Sequence, residues 1–120
     1  MPLNTPTMVV VAHENAVIAA GLRCILKTQP GFEVEAWDRD RRLGREDPPD
    51  LLVADHATAL QWVGQDEGGC RSARNILVVP MGGDDADVRR AFELGIHGYV
   101  ILDCPAEEIA GAARAVRTLP

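Results

Sequence analysis

Short apolar runs, rich in β-branched residues, recur along the chain without the polar and apolar alternation that marks a half-exposed strand. They lie at residues 8–12, 51–54, 76–79 and 99–102, and a further strand is predicted at 32–37. Continuous apolar runs of strand length are typical of parallel sheets that are covered on both faces. The pattern therefore predicts one buried parallel sheet.

Segments with helical spacing of apolar residues lie between these strands. Asn15 is expected to cap the first helix, and the Gln-Pro-Gly sequence at 29–31 to end it. Acids at 84–87 stand where a later helix would begin, and Gly95 ends it. Pro105 is expected in the first turn of the last helix. The core stripe predicted for the first helix consists of Val17, Ile18, Gly21, Leu22 and Ile25.

Two further helices complete the alternation of strands and helices. One is a weak helix at 38–47, where arginines are interleaved with acids, and the other begins at 56–60. This alternation is typical of a doubly wound α/β domain. With 120 residues, 47% of them hydrophobic, the chain can bury one core, so we expect a single domain covering residues 1–120.

Composition narrows the possible partners. The formal charge of −6 argues against direct nucleic-acid contact by this domain, because affinity for phosphates depends on clustered Lys and Arg. The cysteines at 24, 70 and 104 lack the spacing of a zinc site, and their odd number does not suit a disulfide framework. The apolar runs are too short to span a membrane, and no export signal is recognisable. We expect a cytoplasmic protein without membrane contact.

Four segments carry a family resemblance through their order and spacing. They are residues 20–23 (AGLR), 49–55 (PDLLVAD), 91–100 (AFELGIHGYV) and 105–109 (PAEEI). Together they resemble the receiver domains of bacterial response regulators, particularly the LuxR/NarL type, over nearly the whole chain. The resemblance implies a flavodoxin-like doubly wound five-stranded parallel sheet, in the order 2-1-3-4-5, with helices on both faces. It also implies the N-terminal part of a longer transcriptional regulator, with a DNA-binding region beyond Pro120.

Receiver domains of this family carry a defined phosphorylation site. Two acids after the first strand hold magnesium, and an Asp ending the third strand accepts a phosphoryl group. A Thr or Ser after the fourth strand and a Lys after the fifth bind its oxygens. Such groups suit phosphoryl transfer, which depends on positioning and charge stabilisation. Asp55 matches the acceptor, and Tyr99 matches an aromatic residue that changes rotamer with the phosphorylated state.

The remaining positions depart from the family pattern. His13 and Glu14 replace the acidic pair, which weakens the magnesium site because this ion prefers oxygen ligands. Pro80 stands at the hydroxyl position and lacks even a backbone N–H. Leu102 stands where the lysine is expected, and Lys27 is the only lysine in the chain. The switch positions Pro80, Tyr99 and Leu102 are therefore interpreted as degenerate.

These departures favour a phosphorylation-independent, receiver-like regulatory domain that mediates dimerisation or protein contacts and is not an enzyme. Asp55 is interpreted as a vestigial acceptor, a hydrogen-bonded acid that pairs with His13 or caps the following turn. Tyr99 is expected to pack with its hydroxyl at the surface. We assign no catalytic residue, cofactor or metal, and we expect magnesium binding to be weak or absent.

Other interpretations remain open at this point. The domain could be a conventional phospho-acceptor that uses Asp55, or a small-molecule sensor with a crevice around Pro80, Leu102 and His13. Imidazole and carboxylate groups could also hold a softer divalent ion at His13, Glu14, Asp55 and His56. Small residues on the first and last helices suggest a dimer surface. They are Ala16, Ala19, Ala20, Cys24, Ala110, Ala113 and Ala115.

Overall fold

The computed structural model describes residues 6–37, 49–64, 75–80, 85–101 and 104–119. The weak helix expected at 38–47 lies outside these residues. The described strands and helices follow in the order β1 Thr7–Ala12, α1 Ala16–Lys27, β2 Phe32–Ala36, β3 Leu51–Ala54, α2 His56–Gly64, β4 Asn75–Val78, α3 Asp85–Glu93, β5 Gly98–Tyr99 and α4 Ala106–Arg117.

The five strands form one sheet in the order β2-β1-β3-β4-β5, and every pairing is parallel. In β1, Val10 pairs with Glu35 of β2 on one side and with Leu52 of β3 on the other. The predicted flavodoxin-like, doubly wound topology is confirmed. Parallel strands end at one edge of the sheet, so residues that follow β1, β3 and β4 are brought together there.

Alternate residues of the central strands enter two separate cores, because successive side chains of a strand point to opposite faces. In β1, Val9 and Val11 contribute to one core, whereas Val10 and Ala12 contribute to the other. The first core is covered by α1 and α4 through Ala19, Leu22, Leu26, Ile109, Ala113 and Val116. The second is covered by α2 and α3 through Ala59, Trp62 and Ala91.

The first helix begins as predicted but is rotated relative to its predicted core stripe. The Oδ1 atom of Asn15 accepts hydrogen bonds from the backbone N–H groups of residues 17 and 18. Val17, however, is 82% exposed and Gly21 is also exposed. The buried residues of α1 are Ala19, Leu22 and Leu26, at spacings of three and four residues. Ile18 and Ile25 of the predicted stripe are partly buried and pack against the same core, so the prediction is wrong only at Val17 and Gly21. The small Ala19 lets α1 approach the sheet closely, so it lies in the core and not on the predicted dimer surface.

The last helix and the edge strand also differ from the prediction. Ala110 and Ala113 are buried, because the face of α4 that carries them packs on the sheet. Pro105 is the N-cap residue of α4 and precedes its first turn. Strand β5 ends at Tyr99 although the run to residue 102 was predicted as strand; Ile101 is already 66% exposed. An edge strand pairs on one side only, so its pairing ends easily.

None of the helices in the described part of the chain is long and apolar enough to cross a membrane.

Gly98 is expected to be intolerant of a side chain. A Cβ atom there would lie 2.5 Å from Cγ2 of Val116 and 3.0 Å from Cδ1 of Leu77. Gly98→Ala should therefore lower the free energy of unfolding by about 1–3 kcal/mol through overpacking. Gly111→Ala is the control: the nearest atom to an added Cβ there is a side-chain nitrogen of Arg114 at 3.9 Å, an ordinary contact, so this change within α4 should raise stability by up to ~1 kcal/mol. Urea denaturation measures both, and a Gly98→Ala variant as stable as the parent would contradict the packing described.

Candidate functional site

The residues predicted to form the site gather at the carboxyl ends of the central strands. His13 and Glu14 follow β1, Asp55 follows β3, and Pro80 lies just beyond β4. His13, Asp55 and Pro80 are buried, whereas the side chain of Glu14 is exposed. Leu102, the remaining predicted switch position, lies outside the described residues.

Asp55 is the most densely bonded side chain of this edge. Its Oδ1 accepts hydrogen bonds from the backbone N–H of Glu14 at 2.8 Å and from the hydroxyl of Thr58 at 2.6 Å. Its Oδ2 accepts the backbone N–H of Thr58 at 3.0 Å. The carbonyl of Asp55 also accepts the N–H of Ala59, the first hydrogen bond of α2. Asp55 is therefore the N-cap of α2, and only 3% of it is exposed.

Opposing effects act on the pKa of Asp55. Burial raises the pKa of the carboxyl, but the hydrogen bonds from the Thr58 hydroxyl, the Thr58 N–H and the Glu14 N–H favour the ionised form. The net effect is a pKa below the ordinary value of 3.8. The charged form of the carboxylate is therefore favoured by hydrogen-bond donors of the protein.

His13 forms a bridge across the sheet. Its Nε2 contacts the carbonyl oxygen of Val79 at 2.9 Å, and its Nδ1 accepts the backbone N–H of Asn15 at 3.1 Å. The contact with the Val79 carbonyl makes Nε2 the donor nitrogen of the ring. Because β3 lies between β1 and β4, the bridge passes across the end of β3 from which Asp55 projects. Of the two expectations for Asp55, the cap of the following turn describes its hydrogen bonds. His13 directs its ring nitrogens to the bridge and acts on the Asp55 carboxylate through charge, which lowers the pKa of Asp55.

The metal-binding capacity of these groups is limited by the same contacts. Both ring nitrogens of His13 are engaged, and Glu14 reaches Asp55 through its backbone N–H. Among the described residues, no group of three His, Cys, Asp or Glu side chains could hold a metal ion. Four of these described residues were predicted as an alternative site for a softer divalent ion, and they do not form such a group: His13, Glu14, Asp55 and His56.

Tyr99 and His56 meet beside the Asp55 cap. The hydroxyl of Tyr99 lies 3.3 Å from Nδ1 of His56, and the two rings are 6.2 Å apart at 64°. Tyr99 also packs against the second core. The expected packing of Tyr99 is observed, and its hydroxyl lies in a partly buried contact with a neighbouring side chain. This contact forms because α2 begins directly after Asp55, which places His56 in its first turn.

Sequence reasoning missed two members of this site. Thr58 supplies two of the donors to Asp55, and the spacing of an Asp and a Thr three residues later at a helix start was a usable signal. The sequence could not indicate the carbonyl of Val79 as a partner, because every residue type supplies the same backbone acceptor.

Comparisons with known proteins place this geometry in a structural context. No protein-family model and no curated protein matches the chain. Solved structures do match. The signal receiver domain of a NarL response regulator from Mycobacterium tuberculosis is 17% identical, with a TM-score of 0.73, over 96% of this chain and 98% of that one. A LuxR-family two-component response regulator from an Aurantimonas species is 25% identical, with a TM-score of 0.73, over 93% and 85%.

A third similar structure belongs to a larger protein. RcsB from Salmonella enterica serovar Typhimurium is 17% identical, with a TM-score of 0.69; the match covers 94% of this chain and 69% of RcsB. That structure is described as bound to a promoter in the presence of a phosphomimetic beryllium fluoride group. These similarities show that the chain has the flavodoxin-like fold of response-regulator receiver domains.

Proposed function

We propose that this chain is a receiver-like regulatory domain that works without phosphorylation of Asp55 and acts by contact with a second protein. The observation that carries the proposal is the use of the Asp55 carboxylate as a helix cap, with both oxygens bonded to protein donors. The fold supports the receiver part of the proposal, and the contacts of Asp55 support independence from phosphorylation.

A phosphoryl group on Asp55 would be poorly stabilised. It would add roughly −1.5 to −2 charges. It would also remove one carboxylate oxygen from its present donors, which would leave partly buried N–H or O–H groups without their acceptor. Pro80 has no N–H to offer in exchange. The only lysine, Lys27, is the last residue of α1, whereas Asp55 bonds to the N–H of Glu14 just before the other end of this helix.

The exposed face of α1 is the part of the surface that best supports a protein contact. Ala16, Val17, Ala20, Gly21 and Cys24 are exposed and uncharged. Val17, at 82% exposure, is the most exposed large apolar side chain of the described residues. Small residues allow close approach of a second helix, and a two-fold contact of this face with its own copy fits its chemistry. We propose a homodimer through α1.

The similar structures support a proposal about the regulatory context of this domain. RcsB is described on a promoter, and the Aurantimonas protein is described as a LuxR-family regulator. By analogy we propose that this domain controls a transcription factor whose DNA-binding part is a separate domain. The charge of −6 supports assigning DNA contact elsewhere.

Treatment with acetyl phosphate and Mg²⁺, followed by intact-mass measurement, tests independence from phosphorylation. We expect no phosphoryl adduct that is lost in Asp55→Asn. A stoichiometric adduct at Asp55 would overturn the proposal.

Sedimentation velocity over a range of concentrations tests the dimer. Val17→Glu should shift the chain toward monomer, because two glutamates would face each other across a two-fold contact. Gln61→Glu, at an exposed position of α2, is the matched control and should sediment like the parent. A parent chain that is monomeric at all concentrations would contradict the proposed homodimer.

A further inference from the structure

Asn75 is a buried polar residue at the start of an otherwise apolar strand. It is the first residue of β4, which continues as Ile76, Leu77 and Val78, and only 5% of it is exposed. A buried amide costs free energy unless it is hydrogen-bonded, so the partners of Asn75 decide what this residue does. They lie at the amino edge of the sheet, opposite the edge at which Asp55 projects.

The side-chain amide of Asn75 bonds to the backbone at the end of α4. Its Nδ2 donates to the carbonyl oxygen of Val116 at 2.6 Å and to that of Leu119 at 3.0 Å. The carbonyls in the last turn of a helix lack partners within the helix, and the amide has two N–H groups to offer them. Val116 lies inside α4, whereas Leu119 follows the C-cap residue Thr118. Asn75 therefore joins the end of the helix to the segment beyond it.

Two arginine side chains also reach from the end of α4 to neighbouring elements. The guanidinium of Arg117 lies 5.2 Å from the centre of the Phe32 ring and 3.4 Å from the hydroxyl of Thr7. Arg114 donates to the side chain of Gln29. Both arginines are at least partly exposed, so water competes for these contacts. The buried bond from Asn75 acts on the helix backbone itself and is shielded from this competition.

We propose that Asn75 is a clamp that fixes the direction in which the chain leaves α4. Because it bonds to Val116 and Leu119 at once, it holds the residue after the helix against the amino edge of the sheet. A segment attached there takes one orientation relative to β4. The use of this direction to orient an attached DNA-binding domain rests on the proposed regulatory function, whereas the clamp itself does not.

The side-chain amide protons of Asn75 report the clamp directly. In the full ¹⁵N-labelled chain they should exchange with solvent at least about fivefold more slowly than those of Asn15, as expected for buried hydrogen-bonded donors. Asn15 is a suitable internal reference, because it is partly exposed and its cap uses the oxygen of the amide. Exchange of the Asn75 protons at the rate of the Asn15 protons would overturn the proposal.

Asn75→Asp is the first test variant, because it keeps the shape of the side chain but replaces its N–H donors with an oxygen that only accepts. Exchange at the Leu119 amide, which donates to the Val116 carbonyl at 3.1 Å, should rise by about fivefold to thirtyfold. The ¹⁵N order parameter of Leu119 should fall from the range of rigid backbone to below about 0.6.

Thr118→Val is the matched control at the same helix end. It removes the hydroxyl bond to the Ala115 carbonyl but leaves both bonds of Asn75 in place, so Leu119 should keep its order parameter and its exchange rate.

Asn75→Ala guards against unfolding caused by a buried charge, since it removes the donors without adding a carboxylate. Tryptophan fluorescence and parental amide shifts of Glu14 and Thr58, at the opposite edge of the sheet, verify that each variant is folded. A folded Asn75→Ala variant in which Leu119 keeps its parental order parameter and exchange rate would overturn the clamp. These readouts depend neither on a phosphoryl group nor on a dimer, so failure of the proposed function leaves them unchanged.

Discussion

Asp55→Ala is expected to lower the free energy of unfolding by about 3 kcal/mol, since it removes a helix cap and leaves three partly buried donors without their acceptor. Two backbone N–H groups, of Glu14 and Thr58, and the Thr58 hydroxyl lose their partner. Urea denaturation followed by the fluorescence of Trp37 and Trp62 measures the change. A loss below ~0.5 kcal/mol, the usual range for a surface substitution, would contradict the structural role of Asp55.

Asp55→Asn separates the cap from the charge. Asparagine is as good a cap as aspartate. Its NH₂ group, however, cannot accept a hydrogen bond, so either orientation leaves the Glu14 N–H or the Thr58 N–H without an acceptor. We therefore expect a loss of about 1–2 kcal/mol, between the parent and Asp55→Ala.

The pKa of Asp55 sets the pH dependence of this loss. Burial raises the pKa, but the Thr58 and Glu14 hydrogen bonds outweigh it and bring the pKa below 3.8, the ordinary value. A carboxyl whose pKa is lower in the folded state contributes stability above its unfolded pKa, and this stability is lost as pH falls through the folded pKa. The stability difference between the parent and Asp55→Asn should thus be constant near neutral pH and shrink below about pH 4.

His13→Ala is expected to cost about 2–4 kcal/mol, through a buried carbonyl left without its donor and a cavity in place of the ring. The bridge from β1 to the Val79 carbonyl would be lost. His13→Gln, whose side-chain amide can donate to the same carbonyl, should recover part of the loss. Glu14→Gln is the matched control, because its side chain is exposed and its N–H is retained; it should change stability by less than ~0.5 kcal/mol.

Magnesium distinguishes the bridge from a metal site. If His13 and Glu14 served a metal, stability would depend on Mg²⁺ and Glu14→Gln would abolish that dependence. We expect Mg²⁺ to leave the denaturation midpoint unchanged in the parent and in each of the three variants, although the midpoints differ from one variant to another. A midpoint that rises with Mg²⁺ in the parent alone would show that the acidic-pair position retains its original chemistry.

The fold could be predicted from sequence because its central strands are covered on both faces and appear as uninterrupted apolar runs. The rotation of α1 could not be predicted, since Ala19 and Val17 are both apolar and only packing against the sheet decides which is buried. The extent of β5 likewise depends on its edge position, which the run up to residue 102 does not reveal.

The site was predictable where it rests on local sequence and not where it rests on strand order. The Asp55 cap follows from an acid directly before a helix. The bridge of His13 to Val79 depends on β3 lying between their strands, and the contact of Tyr99 with His56 depends on the short turn after Asp55. The sequence therefore indicated the positions that depart from the family pattern, but not the hydrogen bonds that the protein makes to Asp55 and His13.

Our central claim is the proposed independence from phosphorylation: the carboxyl end of β3, where Asp55 lies, should not respond to a phosphoryl group. Its most direct test is a titration of the ¹⁵N-labelled chain with Mg²⁺ and beryllium fluoride, followed through the amide shifts of Glu14, Thr58 and Tyr99. The account predicts that these resonances stay at their starting positions. Saturable shifts of all three amides would contradict it, because they would mean that Asp55 leaves its cap to bind the phosphoryl mimic.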